Sequence, residues 1–241
     1  MANQHEFSDK NQFIWVDNDL LPDLIKGQTH NYFDGQYWQS KGALIGTSVG
    51  RGTTYFFQHN DRQFVLRHYR RGGMIGKLLS DQYLYTGLAK TRAEQERKLL
   101  QHLQELGLPA PIPAASRVVK NGFYYQADLI TVKIPDATDI HHILLERALP
   151  DDVWQQIGTT IARFHQQQIY HHDLNIHNIM LDKNNKVWLI DFDKCSVKAG
   201  DSWKQDNLDR LLRSLRKEQQ KCIDYNFQSV DWVQVIKGYK S

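Results

Sequence analysis

The sequence predicts an α+β fold with two lobes, a β-rich N-lobe over residues 1–128 and a helical C-lobe over residues 129–241. Residues 42–69 have the composition of a β-meander, with β-branched and aromatic runs separated by turn-forming residues. Residues 151–168 and 205–221 have the apolar spacing of amphipathic helices. Because strands come first and helices later, rather than in alternation, we expect two lobes of different class.

Composition excludes several classes of protein. The chain has 241 residues, of which 41% are hydrophobic and 24% charged, as in ordinary folded domains. No apolar run approaches the roughly 18 residues of a membrane helix, and the N-terminal residues lack the apolar core of a secretory signal. Two cysteines cannot build a disulfide framework, so we expect a reduced, cytosolic protein. The formal charge of +3 is only mildly basic. We expect no nucleic-acid partner, and the sequence implies no protein partner.

The predicted N-lobe contains three strands within residues 42–69, then a helix over residues 92–106 and a second hairpin. Leucines at a spacing of three and four residues mark the helix, and Gly107 caps its end. Asn121–Gly122 predicts a tight turn between the last two strands of the lobe. The first forty residues are polar and irregular, and we expect them to pack onto the main body.

The chemistry of the chain is concentrated in residues 171–193, HHDLNIHNIMLDKNNKVWLIDFD. Phosphoryl transfer needs a carboxylate beside the acceptor hydroxyl, oxygen ligands for Mg²⁺ and donors over the phosphates. Protein kinases meet the first two needs with the pattern H-R-D-L-x-x-x-N followed by D-F-G. Here Asp173 and Asn178 match in register, and Asp191 begins the sequence D-F-D after a predicted hairpin. We therefore interpret Asp173 as catalytic and Asn178 and Asp191 as magnesium ligands.

Each of these features has a simpler interpretation when it is taken alone. A single aspartate in a polar loop is usually a turn residue, and D-F-D could end any strand. The histidines at 171, 172 and 177 suggest a metal, but no H-x₃-H pair with a carboxylate or thiol completes a zinc site. The joint order of helix, D-x₄-N, hairpin and D-F is what indicates a kinase.

The N-lobe is expected to supply the ATP clamp. Gly50 and Gly52 fall in the first turn of the meander, where backbone N–H groups could approach phosphates. The slot of the kinase V-A-I-K lysine holds Arg67, whose expected helix partner is Glu96, with Glu94 as the alternative. A glycine turn can also be simply a flexible loop, and an Arg67–Glu96 pair can also be purely structural.

Most of the chain resembles the 3-deoxy-D-manno-octulosonic acid (Kdo) kinases, in the lipopolysaccharide-kinase branch of the protein-kinase-like fold. The blocks that carry this resemblance include FVLRHYRRGG (64–73), DQYLYTG (81–87), YHHDLNIHNIML (170–181) and LDRLLRSLRK (208–217). The phosphate-transfer motifs identify only the superfamily, whereas LRHYRRGG and DQYLYTG point to this family. Arg67 departs from the usual lysine, and Asp193 departs from the usual glycine.

The resemblance implies ATP- and Mg²⁺-dependent phosphorylation of the 4-hydroxyl of Kdo on a lipid A precursor, in lipopolysaccharide core biosynthesis. It also implies a peripheral protein at the cytoplasmic face of the bacterial inner membrane. Basic residues between Arg67 and Lys77, and Arg210, Arg213, Arg216 and Lys217, agree with an anionic acceptor and an anionic membrane surface. The alternatives are a small-molecule kinase of the aminoglycoside phosphotransferase type and a non-catalytic pseudokinase.

Overall fold

The computed structural model describes residues 4–9, 11–22, 29–49, 52–71 and 81–241. The chain divides into two compact units. The first contains residues Met1–Gln101 and Pro111–Lys133, and the second contains His102–Ala110 and Ile134–Ser241.

The first unit is built on an antiparallel sheet, described here in the order β1-β2-β7-β8-β5-β4-β3, with β6 added beside β8. Its strands are β1 (Gln4–Asp9), β2 (Gln12–Asp17), β3 (Leu44–Val49), β4 (Thr53–His59), β5 (Arg62–His68), β6 (Tyr83–Leu84), β7 (Pro113–Asn121) and β8 (Tyr124–Val132). Its helices are α1 (Gly35–Ser40) and α2 (Arg92–Glu105). The predicted meander, the helix after it and the hairpin at Asn121–Gly122 are confirmed.

Strand β5 has a regular alternation that separates the core from the functional face. Phe64 and Leu66 are buried, while Val65 and Arg67, which alternate with them, are half-buried. Because successive side chains of a strand point to opposite faces, Arg67 lies on the face away from this core. The register pairs Arg67 with Thr54 on β4 and with Leu129 on β8, in the middle of the sheet.

The prediction that the first forty residues are irregular is wrong. Strands β1 and β2 form a hairpin, and β2 pairs with β7 from Gln12 opposite Val119 to Val16 opposite Ala115. Further along, Trp38 of α1 stacks on Phe57 with 3.9 Å between the ring centroids, and its indole N–H donates to the Tyr32 carbonyl. The aromatic residues of this segment therefore cover one face of the sheet and complete its core.

The second unit is mainly helical. Its elements are β9 (Ala137–Asp139), α3 (Ile140–Glu146), α4 (Asp151–Gln166), β10 (Ile169–Tyr170), β11 (Ile179–Asp182), β12 (Val187–Leu189), β13 (Ser196–Val197), α5 (Lys204–Lys221) and α6 (Ser229–Lys240). The helices predicted over residues 151–168 and 205–221 are confirmed as α4 and α5, while α6 was not predicted. No helix among the described residues is both long enough and apolar enough to cross a bilayer.

Helices α4 and α6 pack with their backbones in direct contact. A Cβ atom added at Gly158 would lie 1.9 Å from the Val235 carbonyl oxygen, and one at Gly238 would lie 1.9 Å from the Gln155 carbonyl oxygen. The close approach also lets Thr159 Oγ1 donate to the Gly238 carbonyl at 3.0 Å. Glycine on both helices is therefore a packing requirement at this crossing, in spite of its poor helix propensity.

The same helix pair buries His165, and this makes stability depend on pH. His165 Nδ1 lies 2.8 Å from the Tyr239 hydroxyl, and burial lowers the pKa of His165 to about 4. A histidine in the unfolded chain titrates near about 6.5, so below that pH the unfolded chain binds a proton that the folded chain does not. Stability is thus fully present above about pH 6.5 and is lost as the pH falls towards 4.

We expect His165 to remove on the order of 2 kcal/mol of unfolding free energy between about pH 7 and about pH 5. Urea unfolding of the wild type and of His165→Asn over this range measures the contribution. The variant should show a shallower pH dependence, while His142→Ala, at an exposed histidine of the same unit, should keep the wild-type slope. Parallel curves for the wild type and His165→Asn would contradict this assignment.

Candidate active site

The loop that carries Asp173 connects β10 to a 3-10 helix, Ile176–Asn178. Leu174 and Ile176 are fully buried on either side of Asn175 and anchor the loop in the core of the second unit. The Asp173 side chain remains 42% exposed. A carboxylate on a fixed backbone, but open to solvent, can accept a proton from a bound hydroxyl group.

Two amide side chains hold the loop from within. Asn178 Nδ2 donates to the Asp173 carbonyl at 2.9 Å, and Asn175 Nδ2 donates to the same oxygen at 3.1 Å. Because Asn178 uses its nitrogen for the loop, its Oδ1 is the atom that can serve as a metal ligand. An amide oxygen of this kind fits a hard cation such as Mg²⁺.

Residue Ile190 joins this loop to Asp191 through both of its backbone polar groups. Its N–H donates to the Asn178 carbonyl at 3.0 Å, and its carbonyl lies 3.0 Å from His171 Nε2, which donates to it. His171 is fully buried, and burial lowers its pKa, so the neutral ring is the form that makes this bond. The antiparallel β11–β12 hairpin pairs Ile179 with Leu189 and Leu181 with Val187. This register places Ile190 opposite Asn178.

The D-F-D segment has aspartate where the kinase motif has glycine, and its backbone accommodates this change. Asp191 has φ +63° and Lys194 has φ +62°, so the left-handed positions fall outside Asp193 and an aspartate is tolerated there. Phe192 is buried and stacks on Phe164, with 5.8 Å between centroids. The buried ring fixes the segment, and the Asp191 carboxylate offers oxygen atoms of the kind that Mg²⁺ prefers.

Helix α5 supplies three contacts to the loop that the sequence reasoning missed. Asn207 bridges the backbone of His171, donating from Nδ2 to its carbonyl at 3.1 Å and accepting from its N–H at 3.3 Å. Ser214 Oγ accepts from the Ile176 N–H at 3.0 Å. Arg210 Nη1 lies 3.3 Å from Asp173 Oδ1, with both side chains more than 40% exposed. The sequence alone indicated only that Asn207, Arg210 and Ser214 are polar residues of one amphipathic helix.

The ion pair predicted between Arg67 and Glu96 is present in the first unit. Arg67 Nη2 donates to Glu96 Oε1 at 2.5 Å, and the Tyr69 hydroxyl donates to Glu96 Oε2 at 2.6 Å. The Glu96 side chain is 3% exposed and that of Arg67 is 29% exposed. Glu94 instead pairs with Arg97 and Lys98 on its own helix. The buried Glu96 carboxylate therefore fixes the position of the Arg67 guanidinium, while the Arg67 side chain as a whole is partly exposed.

Of the two predicted phosphate-loop glycines, Gly50 lies outside the described residues. At Gly52, an added Cβ would come within 2.7 Å of the Arg70 side chain. The absence of a side chain at Gly52 therefore lets the chain just before β4 lie against the Arg70 side chain.

The two blocks that distinguish the family resemblance contact each other. His68 Nε2 lies 3.2 Å from Asp81 Oδ2. Arg71 Nε donates to the Gln82 carbonyl at 2.7 Å, and its guanidinium lies 4.8 Å from the centre of the Tyr83 ring. Part of the basic block from Arg67 to Lys77 therefore has structural partners, while Lys77 itself lies outside the described residues.

Comparisons with known proteins agree with this arrangement. The family model for lipopolysaccharide kinases (Kdo/WaaP) matches residues 35–239. The chain is 48% identical over 213 residues to a 3-deoxy-D-manno-octulosonic acid kinase of Vibrio parahaemolyticus, covering 88% of each chain. It is 44% identical over 230 residues to that of Photobacterium profundum, covering 95% of each. The protein of that name in Haemophilus influenzae is 43% identical over 243 residues, with coverage of 98% and 99%.

The family model spans most of the chain, including both the Arg67–Glu96 pair and residues 171–193. The alignments with these relatives likewise cover 88% to 99% of each chain. The match to the family therefore covers the residues of both candidate motifs. The chain belongs to the lipopolysaccharide kinase (Kdo/WaaP) family, and it is a kinase.

Proposed function

We propose that this protein transfers the γ-phosphoryl group of ATP to the 4-hydroxyl of Kdo carried on a lipid A precursor, during lipopolysaccharide core biosynthesis. We further propose that the first unit is the N-lobe and the second unit the C-lobe of a protein-kinase-like fold. The observation that carries the proposal is the joint fixing of Asp173, Asn178 and Asp191 through the backbone of Ile190. A pure binding module has no chemical need for this set.

In the proposed reaction, Asp173 accepts the proton of the acceptor hydroxyl as that oxygen attacks the γ-phosphorus, while the bond from this phosphorus to the β,γ-bridging oxygen breaks and ADP leaves. The loop bonds from Asn175 and Asn178 hold its backbone, so the carboxylate needs little reorganisation. Asn178 Oδ1 and the Asp191 carboxylate are the residues that would hold Mg²⁺, which neutralises phosphate charge when bound. Their all-oxygen donor set agrees with that ion.

Arg67 is proposed to bind the nucleotide phosphates in place of the usual lysine. A guanidinium is always charged and presents several N–H donors in a plane, so it can keep Glu96 on one edge and a phosphate on another. Gly50 and Gly52 are proposed to let the backbone approach those phosphates. Glu96, buried and bonded also to Tyr69, serves to position Arg67.

The acceptor is proposed to be recognised by positive charge on α5. Arg210 lies beside Asp173, and Arg213, Arg216 and Lys217 are exposed further along the same helix. An acceptor with a sugar carboxylate near its reactive hydroxyl, and phosphates farther away, matches this distribution. The same charge would favour the anionic cytoplasmic face of the inner membrane, where we place the protein as a peripheral enzyme.

The first prediction concerns the acceptor. Incubation of a Kdo-lipid A precursor with ATP, Mg²⁺ and the wild-type protein should add one phosphate mass to the lipid, with fragmentation locating it on Kdo. Asp173→Ala should lower the rate by about 10²–10⁴-fold, since the proton acceptor is lost, while its thermal unfolding stays close to wild type. Phosphate transferred to an aminoglycoside and not to the lipid would contradict the proposal, as would full activity of Asp173→Ala.

The second prediction separates a phosphate-binding Arg67 from a structural one. Arg67→Gln should lower kcat/KM for ATP by at least about tenfold, because a charge facing the phosphates is removed. Arg97→Gln is the matched control, since it breaks a buried pair with Glu94 in the same unit. The control should lower the melting temperature without a comparable loss of kcat/KM. If both variants lose kcat/KM for ATP in the same proportion to their loss of melting temperature, Arg67 acts only through the fold.

The third prediction concerns Arg210. Arg210→Gln should raise KM for the Kdo-lipid acceptor by about tenfold, the order of one charge-assisted hydrogen bond, with KM for ATP nearly unchanged. Lys237→Gln removes an exposed positive charge from α6 of the same unit and should leave both constants unchanged. A fall in kcat alone, without a change in KM for the acceptor, would assign Arg210 to orienting Asp173 instead.

A further inference from the structure

Three elements next to the catalytic loop bring two histidines and a glutamate together. His141 lies on α3, His177 on the 3-10 helix Ile176–Asn178, and Glu218 on α5. One nitrogen of each imidazole and one oxygen of the carboxylate all lie within 4.8 Å of one another. The three residues are 36 and 41 positions apart in the chain, so only the fold reveals the group.

We propose that His141, His177 and Glu218 form a binding site for a transition-metal dication, with Zn²⁺ as the expected ion. Two imidazoles and a carboxylate are a recurrent ligand set for zinc, with water in the remaining position. Nitrogen ligands of this kind suit zinc and its neighbours, whereas Mg²⁺ prefers oxygen. The site therefore differs in metal preference from the oxygen ligands of Asn178 and Asp191.

The distances agree with one small ion. Zinc bonds of about 2.0–2.1 Å in a tetrahedron place neighbouring ligand atoms about 3.3 Å apart. His177 Nε2 and Glu218 Oε1 already lie at 3.3 Å. The ligand nitrogen of His141 lies within 4.8 Å of both of these side chains' ligand atoms, and its ring is 4.2 Å from that of His177 between centroids.

The surroundings of His141 prepare it as a ligand. Its Nδ1 lies 3.3 Å from the Tyr225 hydroxyl, which fixes one ring nitrogen and leaves Nε2 for a metal.

Lys221 is the competitor for this site. Its Nζ lies 2.7 Å from Glu218 Oε1 and 2.9 Å from Oε2, in the position of a cation on the carboxylate. With a 55% exposed side chain, Lys221 can move away at small cost when a doubly charged ion takes its place. This competition provides a signature that an unspecific surface site would lack.

A metal at this position would cross-link α3, α5 and the 3-10 helix that ends at Asn178. Binding to the folded chain alone raises stability in proportion to the logarithm of metal concentration. We therefore expect the ion to stabilise the catalytic loop without contact with the phosphoryl-transfer residues.

The test is calorimetric titration of tag-free, chelator-treated full-length protein with Zn²⁺, without nucleotide or acceptor. We expect one zinc per chain and a rise in melting temperature that grows with zinc concentration. His141→Asn and Glu218→Gln should each weaken binding by at least about tenfold, and Lys221→Gln should tighten it. His142→Ala is the matched control, because that neighbouring histidine pairs with Asp139 and should leave affinity unchanged.

No stoichiometric binding, equal loss in His142→Ala, or displacement of zinc by an excess of Mg²⁺ would each overturn the proposal. His141→Asn changes a half-buried side chain, and its far-ultraviolet circular dichroism and melting curve without metal will show whether it is folded. If Glu218→Gln does not fold, His141→Asn and Lys221→Gln still decide, since they predict opposite changes in affinity. Because no substrate is present, failure here would not affect the proposed kinase reaction.

Discussion

The active-site arrangement of the second unit depends on the backbone of Ile190. Its N–H and carbonyl are both bonded to the catalytic segment, through the Asn178 carbonyl and the His171 ring. A buried backbone group without a partner costs free energy, so both bonds are strongly maintained. Asp191 follows directly in the chain, and its position relative to Asp173 and Asn178 is consequently set by main-chain geometry. This explains how the D-F segment can keep its conformation with Asp193 in the third place.

Sequence reasoning could predict this part because its signals are local. The D-x₄-N spacing lies within one loop, and the turn between β11 and β12 is short, so the hairpin follows from adjacent residues. Arg67 and Glu96 were also predictable, since a strand slot and a helix slot had known counterparts in kinase motifs. In each case the identity of the residue and its place in an element fixed the contact.

The features that sequence reasoning missed all depend on distant parts of the chain. Strand β2 pairs with β7 more than 90 residues away, and its mixed polar and aromatic pattern carries no clear period of two. Helix α6 is anchored by the close approach of its Gly238 and of Gly158 on α4, although glycine ordinarily argues against a helix. His177 has no H-x₃-H partner, and its neighbours His141 and Glu218 come from two other elements. Tertiary packing determines these contacts, and local patterns in a single sequence do not predict which distant residues meet.

Helix α5 begins soon after Asp193 in the chain and contacts the loop that carries Asp173. Only ten residues separate Asp193 from the start of α5 at Lys204, and that stretch contains a two-residue strand. A connection this short provides no extended surface for a peptide. The first helix after Asp193 is α5. Arg210 on that helix is the cation that reaches Asp173, whereas Asn207 and Ser214 on the same helix hold the loop. One helix thus both holds the backbone of the Asp173 loop and places a positive charge beside the Asp173 carboxylate.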